Sequence, residues 1–123
     1  MARLMIESWL LLFYFDCVMR FRGFAQVHSA VRNKSIASKE DCELSTMLCR
    51  AVDFACIFYF KRVLCLQRSA ATAVLLRRHG WPAEMVIGAQ LVPFQSHAWV
   101  EVEGSVVNDR PYIGEIFQVL ERC

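Results

Sequence analysis

Proline and glycine are scarce, at three and five residues in a chain of 123. That scarcity excludes collagen-like and low-complexity classes. An excess of one charge is missing too. A formal net charge of +2 leaves no electrostatic footprint for nucleic acid or for an anionic membrane surface. There is no phosphate-cradling loop, because Gly80, Gly88, Gly104 and Gly114 stand apart and form no fingerprint. The most apolar stretch, residues 4–15 (LMIESWLLLFYF), is interrupted by Glu7 and Ser8 and is too short to span a bilayer. No small-x-small cleavage site follows it before Asp16, so it does not read as a secretory signal. The expected compartment is the cytoplasm, with thiols reduced and no disulfide scaffold.

What is abundant is apolar. Hydrophobic residues make up 56% of the chain and charged ones 21%, which rules out general disorder. The length suits one core and one domain, 1–123, with an apolar helical segment over 1–34 and a core region over 38–123. So small a core cannot hide all that apolar surface, and a face for a partner is expected.

Residues 4–31 read as helix, broken near Gly23. A polar linker, Arg32-Asn33-Lys34-Ser35, leads to Ser38, Glu40 and Asp41, which open a second helix as N-cap and first-turn acids. That helix runs to about Tyr59 or Phe60 and carries Cys42, Cys49 and Cys56 on one stripe. Seven helical residues separate neighbours by about 10.5 Å of rise, too far for one metal ion, so these are core cysteines. A third helix starts near Cys65. It ends with Arg77, Arg78 and His79 in its last turn, Gly80 at a left-handed cap and Pro82 beyond. The arginines read as a solvated last turn, and His79 and His28 as residues at helix ends. The period then alternates. Residues 83–89, 97–102 and 105–109 read as strands, Glu103-Gly104 as a hairpin turn, and 117–120 as an edge strand. Helices first and antiparallel strands second predict an α+β domain.

Three residues suggest chemistry. Cys65 opens a helix, where unpaired N–H groups and the dipole favour an anion, and Lys61 and Arg62 lie just upstream. Those conditions favour a nucleophilic thiolate. A cysteine nucleophile needs a base, and the base needs a third group to orient it. His97, at a strand start, and Asp109, at the end of the next, suit those roles. Register matters here. A two-residue loop at Glu103-Gly104 pairs Val102 with Ser105 and Asp109 with Ala98, turning His97 and Asp109 to opposite faces. A three-residue loop of Val102, Glu103 and Gly104 pairs Glu101 with Ser105 and sets His97 opposite Asp109. The bulged turn, or another irregularity restoring the parity, is therefore expected.

A succession of motifs sharpens this reading. Cys65-Leu66-Gln67-Arg68-Ser69 opens a helix, and Met85-Val86-Ile87-Gly88 follows it. Then come Pro93-Phe94, His97-Ala98-Trp99-Val100-Glu101, Val106-Val107-Asn108-Asp109 and Phe117-Gln118-Val119-Leu120. The order closely resembles the leader peptidases of lasso peptide biosynthesis, the protease half of the B protein, in the transglutaminase-like branch of papain-like folds. The resemblance is tight over 65–120 and looser before it. It implies a catalytic cysteine at Cys65, histidine at His97 and aspartate at Asp109. It implies removal of a leader from a ribosomally made precursor, with ring closure by a separate ATP-dependent cyclase. It further implies the stand-alone protease form, working with a separate leader-binding protein, and no metal or organic cofactor. Two rivals use the same residues differently: an acyltransferase or transglutaminase on this triad, and a non-catalytic protein whose apolar helix docks a partner.

Overall fold

The computed structural model describes residues 2–23, 27, 29–31, 45–91 and 94–123. The expected linker, the Ser38 cap, Cys42 and His28 lie outside them. Helix α1, Ala2–Phe21, contains neither glycine nor proline and stops before Gly23, whose φ of +87° is left-handed. Leu4, Leu11, Phe15 and Val18 form its buried stripe, at the three- and four-residue steps of a helix face. Its opposite side leaves Ile6, Leu10, Phe13 and Tyr14 exposed. Among the described residues no helix is long and apolar enough to cross a membrane.

Helix α2, Ser45–Ile57, ends slightly before the expected boundary and buries Leu48, Ala51, Val52 and Ala55. Cys49 is buried and Cys56 partly so, as core cysteines should be. Burial, the dominant cause, pushes both thiols up to about 11. Helix α3, Cys65–Arg78, is the central one: Ala70, Ala71, Ala73, Val74, Leu75 and Leu76 are all buried. A helix buried on every side needs neighbours on every side, and α1, α2 and the sheet supply them. Its end is a Schellman motif, with Trp81 N–H donating to the Leu76 carbonyl (2.9 Å) and Gly80 N–H to that of Arg77 (3.2 Å). Gly80 takes the left-handed position at φ +90°.

The last turn of α3 is not solvated as its composition suggests. Arg77 is buried, and its guanidinium donates to the carbonyls of Ala83 (2.7 Å), Val31 (2.5 Å) and Cys123. One side chain thereby joins the helix end, the first strand and the chain's last residue. Arg78 pairs with Glu7 on α1 at 3.1 Å, and His79 lies 3.5 Å from the same carboxylate. Arg77→Ala is expected to cost about 3 to 5 kcal/mol, because it strips a charged donor from three carbonyls at once. Urea denaturation measures this, and an unchanged midpoint contradicts the role.

Four strands follow: β1 Ala83–Leu91, β2 Phe94–Val102, β3 Ser105–Val106 and β4 Gln118–Arg122, with a short helix α4, Ile113–Ile116, before the last. The sheet is antiparallel in the order β3-β2-β1-β4. Ala83, Met85, Val100 and Val102 face the helices and join the main core. Val86 and Trp99 point the other way, where Ile113 and Phe117 close a second, smaller core. The fold is α+β, as the run of helices before strands requires.

Two expectations about the third strand are corrected. The turn is the regular two-residue one: Glu103 and Gly104 both have positive φ, +51° and +85°, as a type I′ turn demands, and Val102 pairs with Ser105. The strand also ends at Val106, so Asp109 does not lie on it. The parity is restored instead where the chain leaves the ladder.

Candidate active site

Alternation along β2 puts His97, Trp99 and Glu101 on the face away from the helices. Trp99 is fully buried there. Its indole N–H donates to Glu101 Oε2 at 2.8 Å, and the other oxygen of Glu101 pairs with Arg122 of β4 at 3.0 Å. His97 is one-quarter exposed at the rim of this layer, its ring stacked against Phe117 (centroids 5.3 Å apart) and Trp99 (6.2 Å). The imidazole is thus held flat by two aromatic rings and keeps one edge open. Gly88 makes the packing possible. A Cβ there would lie 2.8 Å from the Trp99 ring and 2.9 Å from Phe117 Cβ. Gly88→Ala is expected to cost about 1 to 3 kcal/mol and to displace the rings behind His97. Thermal unfolding and the tryptophan fluorescence of the variant report both effects.

His97 Nε2 lies 2.6 Å from Asp109 Oδ2. The other carboxylate oxygen, Oδ1, accepts the Arg110 N–H at 2.7 Å. Partial burial acts to raise the Asp109 pKa. The bonds from His97 and Arg110, aided by the nearby charge of Arg68, outweigh it and hold the carboxyl below its ordinary value. An ionised carboxylate only accepts, so the proton of this bond belongs to Nε2. In the neutral ring Nδ1 then carries the free lone pair. Asp109 therefore selects the tautomer and leaves Nδ1 as the base.

Cys65 is exposed, at the first residue of α3. Leu64 precedes it in extended conformation, no side chain caps the helix, and the first turn carries no acid. Lys61 does not contribute its charge freely to this end, because it pairs with Asp16 of α1 at 2.7 Å. Tyr59 donates to the same carboxylate at 2.8 Å, so the loop before Cys65 is tied to α1. No hydrogen bond links Cys65 to His97 among the described residues. The connection runs one turn further along the helix. Ser69 Oγ donates to the carbonyl of Ala98, next to His97, at 3.0 Å. Arg68 donates to the carbonyl of Asn108, next to Asp109. Residues three and four positions after Cys65 share its helix face. That face is pinned to the edge bearing the imidazole and the carboxylate.

Arg68, Ser69 and Asn108 were not singled out from the sequence. The i+3 and i+4 spacing from Cys65 was the available signal for the first two. Asn108 carries no such mark, since an asparagine beside an aspartate after a strand reads as a turn. Among the described residues no three potential metal ligands converge.

The comparisons with known proteins agree with this architecture. The model of the transglutaminase-like superfamily matches residues 9–122. Over 56 residues the chain is 41% identical to the microcin J25-processing protein McjB of Escherichia coli, a stretch covering 46% of this chain. The chain spans 27% of the length of that curated relative. No solved structure matches. The family match takes in α1 from Trp9 onward, the whole of α2 and α3 and the four described strands, and the chain belongs to the transglutaminase-like superfamily.

Proposed function

We propose that this chain is a cysteine peptidase that removes the leader from a ribosomally made lasso peptide precursor, before a separate cyclase forms the macrolactam. The observation that carries the reading is the His97–Asp109 pair at 2.6 Å, on the edge to which the Cys65 helix is bonded. The likeness to a microcin-processing protein and the motif succession around Cys65, His97 and Asp109 supply the substrate class.

Each residue has a role set by its chemistry. His97 Nδ1 takes the thiol proton, and the Cys65 thiolate attacks the carbonyl at the leader–core junction. The Cys65 backbone N–H, at a helix start with no side-chain cap, meets the charge that develops on the carbonyl oxygen. The imidazolium gives its proton to the leaving amine of the core, and Asp109 stabilises the cation meanwhile. Water then hydrolyses the thioester to free the leader and regenerate the thiol. None of these steps calls for a metal or organic cofactor. The partners of this reading are the precursor peptide, a separate leader-binding protein and the cyclase.

Incubation with the precursor and the leader-binding protein, followed by mass spectrometry, tests it. Hydrolysis yields leader and core of unaltered mass apart from one added water. An amine adduct on the leader instead establishes a transferase on the same triad. Iodoacetamide tests the non-catalytic rival. Cys65 is exposed, whereas burial raises the thiols of Cys49 and Cys56 to about 11. A working nucleophile is alkylated first, and labelling that spares Cys65 sinks the assignment.

A further inference from the structure

We propose that Asn108 is the positioning residue that swings Asp109 onto His97 and ties both to the helix that begins at Cys65. The inference rests on the catalytic roles just assigned and adds the device that assembles them.

The two-residue turn imposes a register that, continued, sets Asp109 beside Ala98 and on the wrong face for His97. The register holds for one step past β3, where Val107 N–H donates to the Val100 carbonyl at 3.0 Å. In a regular ladder Val100 N–H would return that bond to the Val107 carbonyl. It donates instead to Asn108 Oδ1, at 2.7 Å. A side-chain oxygen has replaced the main-chain one. The ladder ends there, the backbone leaves the strand path, and the next residue meets His97.

The rest of Asn108 is equally committed. Its Nδ2 donates to Ser69 Oγ at 3.2 Å, and Ser69 Oγ donates onward to the Ala98 carbonyl at 3.0 Å. Its own carbonyl accepts from the Arg68 guanidinium, which pairs with Asp53 of α2 at 3.3 Å. Asn108 is buried, so these groups have no water to fall back on. The carboxamide orientation is dictated: only its oxygen can receive Val100 N–H, which turns the amino group to Ser69. Asparagine alone offers an acceptor and a donor at this reach.

Two substitutions separate the functions. Asn108→Leu removes both groups while keeping the branching and number of side-chain heavy atoms, and Asn108→Asp keeps the acceptor for Val100 N–H. With precursor as substrate, Asn108→Leu is expected to lower kcat on the order of 100-fold with KM nearly unchanged, as misplacement of a catalytic group does. Asn108→Asp should stay within about tenfold of the parent. A readout independent of activity accompanies them. The downfield imidazole N–H proton of the His97–Asp109 bond, observed by NMR in the full chain, should persist in Asn108→Asp and vanish in Asn108→Leu. A folded Asn108→Leu that keeps this resonance, or Asn108→Asp that loses it, overturns the proposal. Should Asn108→Leu fail to fold, Ser69→Ala decides, because it removes the hydroxyl that joins the Asn108 amide to the Ala98 carbonyl beside His97. A reduced kcat with a weakened resonance supports the role, and no change in either refutes it. If Cys65→Ala retains activity, the assigned chemistry fails, and the resonance still decides whether Asn108 places Asp109.

Discussion

Cys65→Ala is expected to abolish precursor cleavage, a loss of at least about 10³-fold, while the circular dichroism of the chain stays unchanged. The fold should survive because Cys65 is exposed and opens α3 without contributing to the main core. The loss should be near-total because, among the described cysteines, Cys65 alone is exposed. Cys49 is buried, and burial pushes its thiol up to about 11. His97→Ala should come close to the same floor, since it removes both the base and the acid that protonates the leaving amine. Asp109→Asn should be comparable or milder. An amide can donate to Nε2, which favours the wrong tautomer and puts the proton on Nδ1, where the lone pair is needed. Cys49→Ala, by contrast, should alter stability alone. Cleavage at the parent rate by Cys65→Ala would remove the basis for the whole mechanism.

Adding the separate leader-binding protein should raise cleavage by two orders of magnitude or more, on the order of the gain effective concentration provides. The physical basis is the outer side of α1. Ile6 and Leu10 are 63% and 57% exposed, and Phe13 and Tyr14 stand beside them. Apolar surface grouped on one helix face is how a docking surface reads. Trp9 behaves differently: it is partly buried, stacks on Phe13 at 5.8 Å and contacts Tyr59 and Phe60. Leu10→Asp or Phe13→Asp should therefore impair stimulation while the chain stays folded. Trp9→Asp should also weaken the fold, and circular dichroism separates the two effects. Full-rate processing by the chain alone, indifferent to the second protein, refutes the dependence.

Much of the architecture is legible in local signals. Gly23 breaks the first helix, and Gly80 and Pro82 end the one before the sheet, each where its residue type requires. Those are backbone constraints carried by one or two residues, so no neighbour can override them. His97 and Asp109, chosen from the sequence for complementary chemistry, stand 2.6 Å apart. The errors share one cause. Residues 105–109 alternate like a strand, yet the ladder stops at Val106, because the Asn108 side chain takes a hydrogen bond meant for the backbone. Arg77 and Arg78 look alike at a helix end, yet one is buried against three carbonyls and the other pairs with Glu7.

By itself, then, the sequence determined the order and type of the main elements, the α+β class and which side chains suit a nucleophile, a base and an orienting group, since periodicity, caps and turn residues act over a few positions. The tertiary structure alone decided how the parity between His97 and Asp109 is restored, which arginine is buried, and how Arg68 and Ser69 fasten the Cys65 helix to the sheet. The ties of Ser69, Arg68 and Arg77 reach partners 29, 40 and 46 residues away along the chain, whereas the parity rests on the Val100–Asn108 bond across 8. A polar side chain takes the donor or acceptor that folding leaves unpaired beside it, and which group that is becomes defined only when helices and sheet have packed.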